Sequence, residues 1–331
     1  MNHFKNILVI QTAFIGDAVL ATALVEKLHQ KYSEARIYFL VRKGNESLFE
    51  NHPFIAETLV WNKQEGKYIS LIRLLKRIRS IKFDLVVNAH RFSSSGFLTV
   101  FSGAKIKAGF NKNPFSFMFD LKKTHEIGNG KHEIERNHSL ISDFTDELPG
   151  KVKLYPSASD FEFIKKYQNT NYYCIAPASV WYTKKWPEEN WIQLCDLLIH
   201  SKVYILGAKS DSELSQRIID KSVNENIVSL GGSLSLLQSA ALMQNAKMNF
   251  VNDSGPLHLA SAVNAPVTAI FCSTVKEFGF YPLSDVSYIA EVNEKLNCRP
   301  CGLHGYKLCP EGHFRCGKNV SAEAVLNISE T

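Results

Sequence analysis

The chain alternates short β-branched segments with helical segments, and this alternation limits the folds open to it. In the first half, buried strands are predicted at Asn6–Ile10, Ile37–Val41 and Asp84–Asn88, with helices over Asp17–Gln30 and near Tyr68–Ile81. Strands that alternate with helices imply a parallel sheet covered on both faces. We therefore expect an α/β fold in this half.

The second half repeats the same alternation after a break. Pro, Gly and Ser gather between Leu148 and Ser159, which predicts a linker. Beyond it we predict strands at Tyr172–Ile175, Val203–Leu206, Ile227–Leu230, Met248–Val251 and Val267–Phe271, and helices near Trp191–Ser201, Ser212–Asn224, Leu234–Gln244 and Gly255–Val263. A chain of 331 residues is about two domains long. We expect two similar α/β domains, residues 1–150 and 159–331.

The net charge of +6 lies wholly in residues 1–150, which carry 21 Lys and Arg against 15 Asp and Glu. This excess suits an anionic partner such as a phosphorylated lipid, although a Lys-rich solvated surface gives the same count. Nucleic-acid binders usually carry a denser basic stripe, so we expect no nucleic-acid partner. No apolar run approaches the roughly 18 residues of a membrane span, and the N-terminus lacks a signal-cleavage pattern. The expected location is the cytoplasm.

A phosphate-binding turn is predicted in the second half. Asp253, Ser254 and Gly255 follow a strand and open a helix in which His258 lies one turn along. Helix N-termini bind anions through their amides and dipole. Gly255 lets a ligand approach the backbone, Ser254 adds a hydroxyl, and His258 can point at the same anion. A plain helix cap would use the same residues.

Three Trp and two adjacent Lys occur within Trp181–Trp191, just after another predicted strand. Open α/β sheets bind ligands where their strands end, and Lys184 or Lys185 could neutralise a diphosphate there. The alternative is a solvated basic turn whose Trp side chains pack on the following helix. Together with the turn at Ser254, the segment favours a diphosphate site.

Asp17 lies in the loop that leaves the first predicted strand. A carboxylate at this edge of the sheet can act as a general base. A lone Asp at a helix start can equally be a partner of the helix dipole.

Four motifs, in order, resemble the bacterial heptosyltransferases of glycosyltransferase family 9: ILVIQTAFIGDAVLATAL, KKWPEENW, NDSGPLHLASAV and CRPC…CPEGH…C. The resemblance covers essentially the full length. It implies a GT-B fold, in which two Rossmann-like domains with parallel sheets face each other across a cleft. The first domain would hold the acceptor and the second the nucleotide-sugar. It also implies inverting, metal-independent transfer of heptose from ADP-heptose to the inner core of lipopolysaccharide, with no cofactor required for catalysis.

The resemblance also assigns roles by position. Asp17 is similar to the proposed general base, Lys184 to the lysine that meets the donor phosphates, and Ser179 to a nearby hydroxyl residue. The donor-binding turn would be formed by Asp253, Ser254, Gly255 and His258. An acid after the strand Val203–Leu206 would meet the nucleoside, for which we choose Glu213, with Asp211 as the alternative. Ser254 stands where some relatives have Thr, which keeps the hydroxyl.

Acceptor contacts are expected from basic residues of the first half. Arg42 and Lys43 end the second predicted strand, and His90, Arg91 and the run His132–Asn137 are further candidates. The basic helix Lys67–Lys82 could rest on the inner face of the cytoplasmic membrane, which suits a lipid-linked oligosaccharide acceptor. The alternative is an ordinary surface helix with its apolar side in the core.

Four of the seven cysteines cluster at the end of the chain: Cys298, Cys301, Cys309 and Cys316. A Cys-x-x-Cys followed by two further Cys suggests a structural zinc site, although the spacing is not that of a common zinc finger. The remaining cysteines fall within predicted elements and are expected in the core.

Other functions remain open at this stage. The fold could serve a GT-B transferase or an epimerase that uses another nucleotide-sugar, or a non-catalytic nucleotide-sugar binding protein. Asp17 separates the last from an enzyme, because a pure binder has no use for a carboxylate beside the donor. A dinucleotide oxidoreductase is disfavoured, because neither half shows Gly-x-Gly-x-x-Gly after its first strand.

Overall fold

The computed structural model describes residues 3–329, except for the side chain of Lys67. The chain divides between Tyr155 and Pro156 into two compact units. We call residues 3–155 unit 1 and residues 156–329 unit 2. The division falls inside the segment 148–159, in which the linker was predicted.

Unit 1 contains one sheet whose strands are all parallel, in the order β3-β2-β1-β4-β5-β6. The strands are β1 Asn6–Ile10, β2 Arg36–Arg42, β3 Ile55–Trp61, β4 Leu85–Asn88, β5 Ile106–Phe110 and β6 Leu121–Lys123. This is the strand order of a Rossmann fold. The three predicted strands are confirmed within one residue, whereas β3, β5 and β6 were not predicted.

The helices of unit 1 are α1 Ile15–Leu20, α2 Thr22–Lys31, α3 Lys67–Ile81, α4 Ser93–Phe101 and α5 Glu133–His138. The helix predicted over Asp17–Gln30 is therefore interrupted at Ala21. The Thr22 hydroxyl donates to the Val19 carbonyl at 2.6 Å. Such side-chain bonds compete with the helical ladder, which accounts for the break.

Unit 2 repeats the topology with a second parallel sheet, in the order β12-β11-β10-β7-β8-β9. The strands are β7 Tyr172–Ala176, β8 Lys202–Ile205, β9 Ile227–Ser229, β10 Met248–Asn252, β11 Val267–Phe271 and β12 Ser287–Glu291. Counted from β7, this is again the Rossmann order. The five predicted strands are confirmed to within a residue at each end, and β12 is additional.

The helices of unit 2 are α6 Ala158–Ile164, α7 Glu188–Leu197, α8 Ser212–Lys221, α9 Leu236–Gln244, α10 Gly255–Ala262, α11 Arg315–Lys318 and α12 Ala322–Asn327. Helix α7 begins three residues before the predicted start, with Pro187 in the N-cap position. Trp186 and Trp191 are buried and pack edge to face, with their ring centroids 4.9 Å apart. The Trp186 indole donates to the Val320 carbonyl at 2.9 Å and so anchors the C-terminal segment to the core of unit 2.

Each sheet has one switch point, where the strand order reverses because later strands are added on the other side of the first strand. In unit 1 this lies between β1 and β4, and in unit 2 between β7 and β10. Open α/β sheets bind ligands at the carboxyl ends of the strands at such a switch point. Of the helices within residues 3–329, none is both long and apolar enough to cross a bilayer.

Candidate active-site residues in the two units

Asp17 lies at the switch point of unit 1. It occupies the first turn of α1, after the loop that leaves β1, and its side chain is half-buried. Arg91, which follows β4, lies close enough to act on the Asp17 charge. The structure thus brings together the predicted base and one predicted acceptor contact.

The surroundings of Asp17 raise its pKa to about 6. Burial is the main cause, because it penalises the charged carboxylate. The negative charge of Glu133 acts in the same direction, whereas Arg91 and the backbone amides of Asp17 and Phe14 oppose it. A carboxyl with this pKa is mostly ionised at pH 7 and can still accept a proton readily.

A buried charge network holds Glu133, within the His132–Asn137 run. Its carboxylate accepts from His125 Nε2 at 3.1 Å and from Arg136 Nε at 2.7 Å. Burial alone would raise the pKa of Glu133, but the contacts with His125 and Arg136 outweigh it and lower that pKa. Arg91 Nη1 lies 3.5 Å from His125 Nδ1, which links the network to the residue beside Asp17.

His90 is placed beside this site, but it is only 7% exposed. Its Nδ1 lies 3.0 Å from the Thr12 hydroxyl, in the loop after β1. Burial, and to a lesser extent the charges of Lys63 and Arg91, lower the pKa of His90 to about 4. It is therefore neutral at pH 7, and cannot attract an anionic acceptor by charge.

The loop after β4 is fixed by Asn113, whose amide donates to the carbonyls of His90 and Phe92 at 3.1 and 3.0 Å. Gly96 allows this contact, because a Cβ there would collide with the Asn113 side chain. Phe92 itself remains 66% exposed. The sequence offered no signal for Asn113, which is distant along the chain.

Arg42 is the last residue of β2 and Lys43 follows it, at the same edge of the sheet. The Arg42 guanidinium lies over the ring of Phe14, 5.3 Å from its centroid. Lys43 is exposed and pairs with Glu46 at 2.9 Å. Arg42 is thus held towards the Asp17 loop, whereas Lys43 is paired on the surface.

In unit 2, the switch point brings Lys184 and Asp253 together. Lys184 Nζ lies 2.7 Å from Asp253 Oδ2, and both side chains are largely buried. The Thr274 hydroxyl donates to the same oxygen at 2.6 Å. Asp253 therefore orients the Lys184 side chain through this ion pair, a role that the sequence pattern did not reveal. Thr274 was not predicted, although its place just beyond β11 was a usable signal.

Ser254 occupies the N-cap position of α10, and Pro256 lies in its first turn. Within the described chain, its hydroxyl makes no capping bond to α10, but donates weakly to the Asn252 carbonyl at 3.4 Å. The side-chain oxygen of the buried Asn252 accepts from the Trp186 backbone amide at 3.0 Å. This bond ties the turn Tyr182–Lys184, which we call the lysine turn, to β10. The geometry therefore departs from the plain helix cap that the sequence also allowed.

The other residues predicted to bind the nucleotide-sugar lie at the same edge of unit 2. Ser179 follows β7 and is half-buried, whereas His258 is 5% exposed and packs near Phe280. After β8, the Asp211 carboxylate accepts a hydrogen bond from the Ala208 amide at 2.8 Å, so it stabilises its own turn. Glu213, the acid chosen from the sequence, is exposed.

The C-terminal segment supports the lysine turn. The Tyr306 amide donates to Thr183 Oγ1 at 2.7 Å, and Ser273 Oγ donates to the same oxygen at 3.0 Å. Gly305 adopts φ +77°, and a Cβ there would lie 2.8 Å from Thr183 Oγ1. Arg299 donates to the carbonyls of Cys272 and Thr274 at 2.8 and 2.7 Å. These contacts hold the turn that carries Lys184 against the end of β11.

The structure does not assemble the zinc site predicted at Cys298, Cys301, Cys309 and Cys316. Among residues 3–329, no group of three or more His, Cys, Asp or Glu is placed to hold a metal ion. The Cys301 thiol donates to the Cys298 carbonyl at 3.1 Å. Cys316 is part of the core of unit 2, and burial raises the pKa of its thiol to about 11.

A sequence profile of glycosyltransferase family 9 (heptosyltransferase) matches residues 71–306. The chain belongs to this family. It is a glycosyltransferase, and the matched range includes the lysine turn and the turn at Ser254.

Individual proteins of this kind are similar along most of the chain. Lipopolysaccharide heptosyltransferase 1 of Pseudomonas aeruginosa is 22% identical over 312 residues, which covers 89% of this chain and 85% of that protein. The crystal structure of a family 9 glycosyltransferase from Veillonella parvula has a TM-score of 0.85 at 20% identity, covering 98% and 96% of the two chains. An E. coli heptosyltransferase with ADP-2-deoxy-2-fluoro heptose has a TM-score of 0.74 at 17% identity, covering 98% and 99%. The predicted GT-B class, with two Rossmann-like units, is confirmed.

Proposed function

We propose that this family 9 chain transfers heptose from ADP-heptose to the inner core of lipopolysaccharide, with inversion at the anomeric carbon and Asp17 as general base. The observation that carries the proposal is the half-buried Asp17 at the switch point of unit 1, with its pKa raised to about 6. Unit 1 would hold the acceptor and unit 2 the nucleotide-sugar.

Inversion requires the acceptor hydroxyl to attack the anomeric carbon on the side opposite the diphosphate. The hydroxyl proton passes to the Asp17 carboxylate as the new C–O bond forms. A base is most effective when its pKa lies near the working pH, which the pKa of about 6 satisfies. A positioned base contributes roughly 10²- to 10⁴-fold in rate.

The bond to the diphosphate breaks as the new bond forms, and ADP leaves with the electron pair. A nucleoside diphosphate needs electrostatic stabilisation more than protonation. Lys184, oriented by Asp253 at 2.7 Å, supplies the positive charge, and the amides at the start of α10 supply aligned dipoles. In this scheme, Lys184 and these amides do the work that a metal ion does in other transferases, so catalysis needs no metal or cofactor.

Contacts to the sugar nucleotide are proposed for further residues at the same edge of unit 2. Ser179, Ser254 and His258 would surround the diphosphate, and Gly255 would let it approach the backbone. Glu213, which is exposed after β8, would meet the ribose or base. Support for an ADP-linked heptose comes from the E. coli heptosyltransferase, whose structure contains ADP-2-deoxy-2-fluoro heptose.

The inner core is a phosphorylated, lipid-linked oligosaccharide, and unit 1 carries the basic excess of the chain. Arg91, beside Asp17, and Arg42, held by Phe14, are the proposed contacts to acceptor phosphates. Lys43 would contribute from the surface, and the neutral His90 would hold Thr12 in place. The Pseudomonas aeruginosa relative, a lipopolysaccharide heptosyltransferase, supports this choice of acceptor.

Calorimetric titration against a panel of nucleotide-sugars, followed by mass spectrometry of the acceptor, tests the proposal. The expected result is the tightest binding for ADP-heptose, with release of ADP and a gain of one heptose by the core oligosaccharide. Preference for another nucleotide-sugar would point to a different GT-B transferase. Binding with no change in either substrate would favour a non-catalytic protein, and a change in the donor sugar alone would favour an epimerase.

A further inference from the structure

Helix α3 covers one face of the sheet of unit 1. Its inner side is formed by Leu71, Leu74 and Ile78, which are buried against β1, β2 and β3. These contacts fix which side of the helix faces outward.

The outward side begins with three large apolar residues. Tyr68, Ile69 and Ile72 are 74%, 67% and 45% exposed. Together with the two cations that follow, they line a shallow surface hollow of about 460 Å³, whose walls are formed by Tyr68, Ile69, Ile72, Arg73 and Lys76. Single exposed apolar residues are ordinary, but a group on one helix face marks an interaction site.

The rest of the outward side is cationic, and α3 contains no Asp or Glu. Arg73 pairs with Glu65 at 3.3 Å and Arg77 with Glu57 at 2.7 Å, all at the surface. Exposed ion pairs of this kind contribute little to stability, so these arginines can exchange their partners for other anions. Exposed apolar side chains with cations beside them combine the two contributions that bind a helix to a membrane surface, which are burial of apolar area and attraction to anionic lipids.

The apolar end of α3 lies at the edge of the sheet that carries Asp17. Strand β3 ends at Trp61, and α3 then starts from the carboxyl ends of the parallel strands. Lys63, between them, lies 4.4 Å from the centroid of the Trp61 ring and close enough to lower the pKa of His90. A surface that binds Tyr68, Ile69 and Ile72 would therefore meet the proposed acceptor site at the same edge.

We propose that the first two turns of α3 insert into the headgroup region of an anionic phospholipid bilayer. Ile69 and Ile72 would enter the interface, and Arg73 and Lys76 would bind lipid phosphates. Three apolar side chains are too few to fill the roughly 800 Å² that each partner buries in a stable protein complex, whereas they suit shallow insertion. The purpose of the contact, presenting a lipid-linked acceptor to unit 1, rests on the proposed function.

Flotation of the full chain with vesicles tests this surface without any substrate. We expect binding to vesicles with about one-third phosphatidylglycerol and little binding to phosphatidylcholine alone. The double variant Arg73→Gln/Lys76→Gln should weaken binding about 25-fold, since each cation near the membrane is worth about fivefold. Ile69→Ser/Ile72→Ser should weaken it at least tenfold. Matched controls in unit 2, Val223→Ser, 64% exposed, and Lys295→Gln/Lys318→Gln, should bind like the wild type.

Equal binding by the wild type and both α3 variants, or no binding to anionic vesicles, would overturn the inference. So would sedimentation that shows a dimer disrupted by Ile69→Ser/Ile72→Ser, since the occupant would then be a second copy of the chain. The α3 variants should retain transfer to a delipidated core oligosaccharide and lose it only with vesicle-embedded acceptor. Loss of transfer with both acceptors would show that these α3 side chains act in catalysis and not in membrane binding, and would overturn the inference. Vesicle binding by a wild type that transfers no heptose would refute the proposed function and leave this inference standing.

Discussion

Replacing Lys184 with Met should separate the two roles of the Lys184–Asp253 pair. The Nζ–Oδ2 distance is 2.7 Å, and the side chains are 15% and 7% exposed. The variant keeps much of the side-chain volume and removes the charge. Asp253 then loses its ionic partner and keeps the Thr274 hydroxyl as a donor.

The expected magnitudes follow from this burial. Removing one partner of a buried ion pair costs about 3 kcal/mol of folding free energy, since it leaves an uncompensated charge. Loss of a charge-assisted hydrogen bond to a phosphate costs about 1.5 to 3 kcal/mol of binding, which weakens the Kd for ADP roughly 10- to 150-fold. The double variant Lys184→Met/Asp253→Asn should regain most of the stability, because no buried charge is left, but none of the ADP affinity.

Denaturant unfolding and calorimetric titration with ADP complete a double-mutant cycle when they are measured on four proteins: the wild type, Lys184→Met, Asp253→Asn and the double variant. A Lys184→Met protein that binds ADP as tightly as the wild type would refute the role of Lys184 at the diphosphate. Recovery of ADP affinity in the double variant would mean that Lys184 acts on binding only through the fold.

Two further outcomes are expected. Ser254→Ala should weaken ADP binding but change the free energy of unfolding by less than about 0.5 kcal/mol, because the Ser254 hydroxyl does not cap α10. The control Ser235→Ala removes a helix cap that accepts from the Gln238 amide at 3.1 Å, so it should cost about 1 kcal/mol of stability and leave ADP binding unchanged. Equal losses of stability in the two variants would contradict this account. The pKa of Asp17 is raised from 3.8 to about 6, so the folded state loses stability as pH rises between these values. Asp17→Asn should therefore raise the free energy of unfolding by about 1 to 2 kcal/mol at pH 7.5, allowing for partial exposure, with little change at pH 4. An unchanged free energy of unfolding at pH 7.5 would show that Asp17 is not desolvated.

The central strands could be predicted from the sequence because both faces of a parallel sheet are buried. Strands β1 and β11 are apolar at four of their five positions, and both were located at their bounds. Strand β3 was missed, because it is an edge strand whose side chains are only partly covered. Strands β6 and β12 lie at sheet edges, where polar residues are tolerated.

The site was predictable where it lies next to a strand end in sequence. Asp17, Lys184 and Ser254 each follow a strand at a switch point, and sequence order alone places them at the ligand-binding edge. The network around Glu133 was not predictable in its pairing, since His125 comes from a segment that follows the short, polar β6. The cysteine spacing suggested zinc, but spacing does not tell where thiols point, and two of the four, Cys301 and Cys316, are buried.

The kcat of Asp17→Asn, measured beside its Kd for ADP, tests the central claim most directly. If Asp17 accepts the proton of the acceptor hydroxyl, kcat falls at least a hundredfold while the Kd for ADP stays within about twofold. A variant that keeps its turnover, or one that loses ADP binding instead, would contradict the assignment of Asp17 as the base.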